Sequence, residues 1–131
     1  MEKVFIEPTR TTPMVKFDPD EGLLEMKGRS SPENSIQFYQ KVLDSIDEYS
    51  EHGGGEFTAN IAFEYFNTSS SKCLFDVFKR VRKIEDSGRE VTINWFYEEG
   101  DDDMMEAGED YSDLLNLDFN FREIEEDDLQ F

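Results

Sequence analysis

Two periodicities share this chain. Phe57, Ala59, Ile61, Phe63 and Tyr65 alternate with Thr58, Asn60, Ala62 and Glu64, the period of a strand with one buried face. Val91, Ile93, Trp95 and Tyr97 repeat the pattern around Thr92 and Asn94, and Leu117, Phe119 and Phe121 repeat it around Asp118, Asn120 and Arg122. Shorter strands are predicted over residues 3–6, 14–18 and 23–28. The last two close a hairpin across Asp18-Pro19-Asp20-Glu21-Gly22, where Pro19 presets φ and Gly22 can take a positive one. Elsewhere the period is 3.6. Ile36, Phe38, Tyr39, Val42, Leu43, Ile46 and Tyr49 form an apolar stripe, opened by Ser31 as cap with Pro32 in the first helical position and ended by His52-Gly53-Gly54-Gly55. Cys73, Leu74, Val77, Phe78, Val81 and Ile84 form a second stripe, stopped by Ser87-Gly88-Arg89. Met104, Ala107, Gly108, Tyr111, Leu114 and Leu115 form a third. The order β-β-β-α-β-α-β-α-β implies parallel pairing through crossover helices, and strands with one polar face put those helices mainly on one side of a mixed sheet. The expected fold class is α/β, in one domain over residues 1–131, with an acidic tail from about residue 123 that frays beyond Ile124.

Charge narrows the partners. The chain carries 32 Asp and Glu against 13 Lys and Arg, a net −19, and residues 98–131 contain one base, Arg122. Such a surface repels nucleic-acid phosphates and anionic lipid, so neither nucleic acid nor membrane is an expected partner, and it favours a protein with a basic face. Cys73 is the single cysteine and falls in an apolar helical stripe, which suits a reducing compartment. The N-terminus lacks the basic and apolar regions of a signal peptide, and no apolar run is long enough to span a membrane. A cytoplasmic location is expected.

Candidate chemistry is sparse. Asp101, Asp102 and Asp103 with Glu106, Glu109 and Asp110 suggest a cation site, but counting from Asp101 puts Met105 and Glu106 fifth and sixth, where the calcium loop needs an oxygen ligand and a glycine. Acids at a helix start are explained by the helix dipole. The only histidine, His52, lies beside glycines, so no nucleophile–base set can be assembled. The glycine run follows a helix, whereas a phosphate cradle precedes one. No enzyme, metal or cofactor is expected. What remains is Asn67-Thr68-Ser69-Ser70-Ser71-Lys72, a hydroxyl-rich turn between a strand and a helix. Asn and Thr are cap residues, so spacing alone favours a plain cap, although a helix start also tolerates an added phosphate and makes a phosphorylation site physically reasonable.

Particular words carry a resemblance. Thr12-Pro13, Gly22-Leu23-Leu24-Glu25-Met26-Lys27-Gly28, Ser31-Pro32-Glu33-Asn34-Ser35, Tyr65-Phe66-Asn67-Thr68-Ser69-Ser70, Gly88-Arg89 and Trp95-Phe96-Tyr97 occur in this order. Over roughly residues 11–121 the chain resembles the SiaC family of bacterial phosphoproteins. The resemblance implies a STAS-like fold, similar to anti-anti-sigma factors, and a non-enzymatic partner switch. A dedicated protein kinase phosphorylates a threonine in the Asn-Thr-Ser-Ser word, by position Thr68, and a PP2C-type phosphatase removes the phosphate. The unphosphorylated form binds and activates a diguanylate cyclase, promoting biofilm formation. Ser69, Ser70 and Ser71 are alternative acceptors, and an anti-anti-sigma-type regulator of transcription is the alternative function. Asn67 and Ser69 would hold the backbone while Thr68 presents its hydroxyl outward. Lys72 is read as a pairing or steering charge or as a solvated lysine. Glu33 and Asn34, with Ser70, complete the candidate partner-binding set.

Overall fold

The computed structural model describes residues 1–125. Its elements run β1 (Val4–Ile6), β2 (Met14–Asp18), β3 (Leu23–Ser30), α1 (Ser35–His52), β4 (Phe57–Phe66), α2 (Thr68–Asp86), β5 (Val91–Glu98), α3 (Asp102–Leu115) and β6 (Phe119–Ile124). The sheet follows chain order from β1 to β6; β1–β2 and β2–β3 are antiparallel, and the remaining neighbours are parallel. The hairpin between β2 and β3 turns on Gly22 at φ +62, with the Asp18 carboxylate accepting from Asp20 N–H at 3.0 Å. Each parallel step needs a crossover helix, and successive crossovers of one hand moving in one direction stack the helices on one face.

Burial follows the two periods. Leu24, Met26, Phe57, Ala59, Ile61, Phe63, Ile93 and Trp95 point from the sheet into a core closed by Tyr39, Val42 and Ile46 of α1, Leu74, Val77, Phe78 and Val81 of α2, and Met104 and Tyr111 of α3. The opposite face is polar. There Glu25, Asn60, Asn94 and Asn120 stand in register across four parallel strands, and each Asn donates its amide to the residue on the preceding strand, at 3.0, 2.8 and 3.2 Å. This is the mixed α/β sheet with helices on one side that the alternation predicts.

Several local readings are corrected. Ser31 does not cap α1: β3 continues through Gly28 to Ser30, Pro32 is buried in the connection, and Asn34 is the cap, its Oδ1 accepting from Gln37 N–H at 3.1 Å. Ile36 and Leu114, placed in the first and third apolar stripes, are 73% and 72% exposed, and Phe121, placed on the inner face of the last strand, is exposed as well. Tyr65, placed on the inner strand face, is 43% exposed, because the β3–β4 register slips between Gly28 and Arg29. A one-residue slip exchanges the faces, so Phe66 turns inward against Phe63, Trp95 and Tyr111 while the Tyr65 ring lies outside under the Arg29 guanidinium. The last strand also reaches Ile124, two residues past its predicted end, and most of the expected tail lies outside the described residues. Among the described residues no helix is long and apolar enough to cross a membrane.

Candidate functional site

In a parallel sheet the helix N-termini gather at the C-terminal ends of the strands. Here that arrangement brings together the two words singled out in the sequence. β3 ends at Ser30 and leads to α1 at Ser35; β4 ends at Phe66 and leads to α2 at Thr68. Backbone bonds tie the two strand ends together, Asn67 N–H donating to Ser30 C=O at 2.9 Å, and Ser31 N–H donates to Thr11 C=O at 2.7 Å, pinning the loop before β2.

The hydroxyl turn is then sorted by hydrogen bonding. Asn67 caps α2: its Oδ1 accepts from Ser70 N–H at 2.9 Å and from the Ser69 hydroxyl at 3.2 Å. Ser70 is fully buried and gives its proton to Ser30 C=O at 3.0 Å, while the Ser30 hydroxyl donates to Ser70 Oγ at 2.8 Å. A hydroxyl has one proton, so the Tyr39 hydroxyl, 2.7 Å from Ser30 Oγ, is the donor in that contact. Burial pushes the Tyr39 phenol well above its usual range, with the Ser30 bond pulling the other way. Ser71 is half-buried; Tyr111 donates to Ser71 C=O at 2.8 Å, leaving the Ser71 hydroxyl to donate to Tyr111 Oη at 3.0 Å. Ser69 is exposed but held, its Oγ 2.7 Å from the Ser35 Oγ of α1. Thr68 is exposed in the first position of α2, and among the described residues its hydroxyl has no hydrogen-bond partner.

Of the residues singled out in the sequence, Asn34, Asn67, Thr68, Ser69 and Ser70 lie at the two helix starts, and the Ser35–Ser69 contact joins the words that hold them. Asn34 serves as a cap, and Glu33 beside it is exposed. Ser70 points inward, out of reach of a partner. Lys72 is exposed one turn below Thr68, without an ion-pair partner among the described residues, at an open groove lined also by Phe75, Asp76, Tyr111 and Leu114. Sequence reasoning missed Ser30, Ser35 and Tyr39, which hold the turn from the neighbouring elements. Ser30 and Ser35 carry no signal of their own, since the contacts that define them cross 40 and 34 positions. The acids at the start of α3 do what the dipole reading says: Asp101 is the cap, accepting from Met104 N–H at 3.0 Å.

The fold that carries this site has known relatives. The chain is 28% identical over 119 residues, 91% of its length and 94% of the relative's, to an uncharacterized protein of Pseudomonas aeruginosa strain UCBPP-PA14. The crystal structure of apo-SiaC from Pseudomonas aeruginosa superimposes with a TM-score of 0.86 at 27% identity, over 93% of this chain and 99% of that one. SiaC in its complex with the diguanylate cyclase SiaD, of which it is the activator, superimposes with a TM-score of 0.87 at 26% identity, over 92% and 99%. The model of the SiaC family of regulatory phosphoproteins matches residues 6–124. The fold that carries the two helix starts is therefore a known one, and this chain is a member of the SiaC family of regulatory phosphoproteins.

Proposed function

We propose that this protein activates a diguanylate cyclase by binding it, and that phosphorylation of Thr68 by a protein kinase withdraws that activation until a PP2C-type phosphatase restores it. Support for the cyclase comes from the relative of the same fold whose complex with one is solved. The observation that carries the site is the state of the hydroxyls: of the four in the turn, Thr68 alone is both exposed and unbonded among the described residues. In the transfer, Thr68 Oγ1 attacks the γ-phosphorus of ATP, the new O–P bond forms as the bond to the bridging oxygen breaks, ADP leaves, and the hydroxyl proton passes to a base on the kinase.

The phosphate adds roughly −1.5 to −2 charge at the start of α2, where the dipole and free N–H groups favour an anion, so the domain keeps its fold. A partner surface that covers Thr68 in the unphosphorylated state must instead desolvate the phosphate, which is costly unless it supplies arginine. Lys72, four residues on along the same side of α2, is the nearby counter-charge, worth at most about 1 kcal/mol at an exposed site.

The test is intact-mass and phosphopeptide mapping after incubation with ATP and a lysate of the protein's own cells, followed by cyclase assays with each form. One phosphoryl group on the wild type, none on Thr68→Ala, and activation by the unphosphorylated form alone are expected. A phosphate that persists in Thr68→Ala, or equal activation by both forms, overturns the proposal.

A further inference from the structure

The buried serine of the Pro32-Glu33-Asn34-Ser35 word has no part in capping α1, since Asn34 does that. Its hydroxyl is spent across the seam on Ser69. We infer that Ser35 is a positioning residue for the phosphorylation step: by holding the Ser69 hydroxyl it confines the phosphate to Thr68. The inference rests on Thr68 being the acceptor.

Chemistry alone does not choose between neighbours, because the primary alcohol of serine is at least as open to transfer as the secondary alcohol of threonine. Presentation has to choose. In-line transfer needs a lone pair of the oxygen directed at the γ-phosphorus and the hydroxyl proton directed at the kinase's base. Thr68 Oγ1 is engaged by no described residue and sits on an exposed first turn. Ser69 Oγ has its proton and one of its two lone pairs committed, which fixes the direction of the other. Its proton goes to Asn67 Oδ1 at 3.2 Å, which leaves Ser35 as the donor in the 2.7 Å contact with its oxygen. Swinging Ser69 out to a kinase breaks both bonds and strands the Ser35 hydroxyl, on a residue 4% exposed, without a partner. Removing the Ser35 hydroxyl takes away the shorter bond and the stranded group together. Ser69 is then held only by the longer bond to Asn67.

The experiment maps phosphate on wild type, Thr68→Ala, Ser35→Ala and Ser35→Ala/Thr68→Ala, each incubated with ATP and the kinase activity purified from the same cells on the wild-type protein. Asn34 still caps α1 in the Ser35 variants, and circular dichroism checks that they fold. Phosphate on Thr68 alone in the wild type is expected, none on Thr68→Ala, on both Thr68 and Ser69 in Ser35→Ala, and on Ser69 in the double variant, loss of one hydrogen bond raising transfer to Ser69 roughly tenfold from below detection. A double variant as inert as Thr68→Ala overturns the inference, as does a Thr68→Ala already modified on Ser69 at the wild-type rate. The Hα–Hβ couplings of Ser69 by NMR give a readout that needs no kinase: one rotamer in the wild type, averaged in Ser35→Ala. Averaged couplings in both proteins overturn the lock. A wild type that takes no phosphate while the couplings behave as expected overturns the Thr68 assignment and leaves the Ser35–Ser69 lock standing.

Discussion

Asn67 holds the turn with a single oxygen. Its Oδ1 receives both the orphan Ser70 N–H and the Ser69 proton, while its own N–H closes onto the end of β3. Asn67→Ala is expected to destabilise the fold by about 1 kcal/mol, the usual cost of a lost cap, and urea denaturation measures it. Deeper in, two phenols give the protein an alkaline limit. Burial, with Asp110 adding to it, pushes the Tyr111 hydroxyl up to about 12 against the pull of its bond to Ser71, and Tyr39 lies higher still. Both stay protonated in the folded chain at a pH where the unfolded chain, at about 10, releases its protons. Each therefore contributes stability that is fully present below pH 10 and is lost as pH rises through the folded value, at roughly 1.4 kcal/mol per pH unit per tyrosine. Melting temperatures taken between pH 9 and pH 11 should fall above pH 10, and Tyr39→Phe should fall less steeply. An unchanged slope would show that Tyr39 ionises as readily in the folded protein as in the unfolded one.

At the scale of elements, α3 lies so close to the sheet that a helix residue without a side chain is required. A Cβ at Gly108 would sit 2.6 Å from the indole Nε1 of Trp95, which is committed to Met104 C=O at 2.9 Å. Gly108→Ala is therefore expected to destabilise by about 1–3 kcal/mol despite its better helix propensity. The single tryptophan should report the displacement in its fluorescence. Sequence alone marks Gly108 only as one member of an apolar helical stripe, because the indole that makes it necessary comes from a strand, β5. The same distinction separates what the chain discloses from what it hides. Strand and helix periods are local, so the element order and the burial of Phe57, Ile61, Leu74 and Val77 could be read directly. The start of α1 could not, because Ser31-Pro32 has the local grammar of a helix start while β3 uses those residues to leave the sheet. Tyr65 was misplaced because the slip opposite Gly28 is a property of two strands and shows in neither. In the site, the hydroxyl turn stood out by residue type and Thr68 within it only by the family resemblance, whereas the serines of α1 and β3 that hold Ser69 and Ser70 gained meaning only when the fold brought them across.

At the scale of the molecule the question is how one phosphate matters on a chain of net charge −19. Two further charges change the total by about a tenth, too little for long-range repulsion to account for a switch in a surface already this acidic. On the proposed switch the block is then local, through desolvation of the phosphate where the partner would cover Thr68. Ionic strength separates the alternatives, since the Debye length shrinks from about 10 Å at 0.1 M salt to about 3 Å at 1 M. Long-range repulsion between exposed charges would be largely screened over that range, whereas a phosphate trapped against a partner surface would not. Cyclase binding by the unphosphorylated protein should weaken as salt rises if the partner presents the basic face that a surface of this charge favours. The ratio of affinities between unphosphorylated and Thr68-phosphorylated protein should stay within a factor of about 3 across the series, less than 0.7 kcal/mol. Titration calorimetry of both forms at several salt concentrations measures it. A ratio that collapses toward one at 1 M salt would place the switch in the field of the whole molecule and remove the reason for Thr68 to lie inside the partner's footprint.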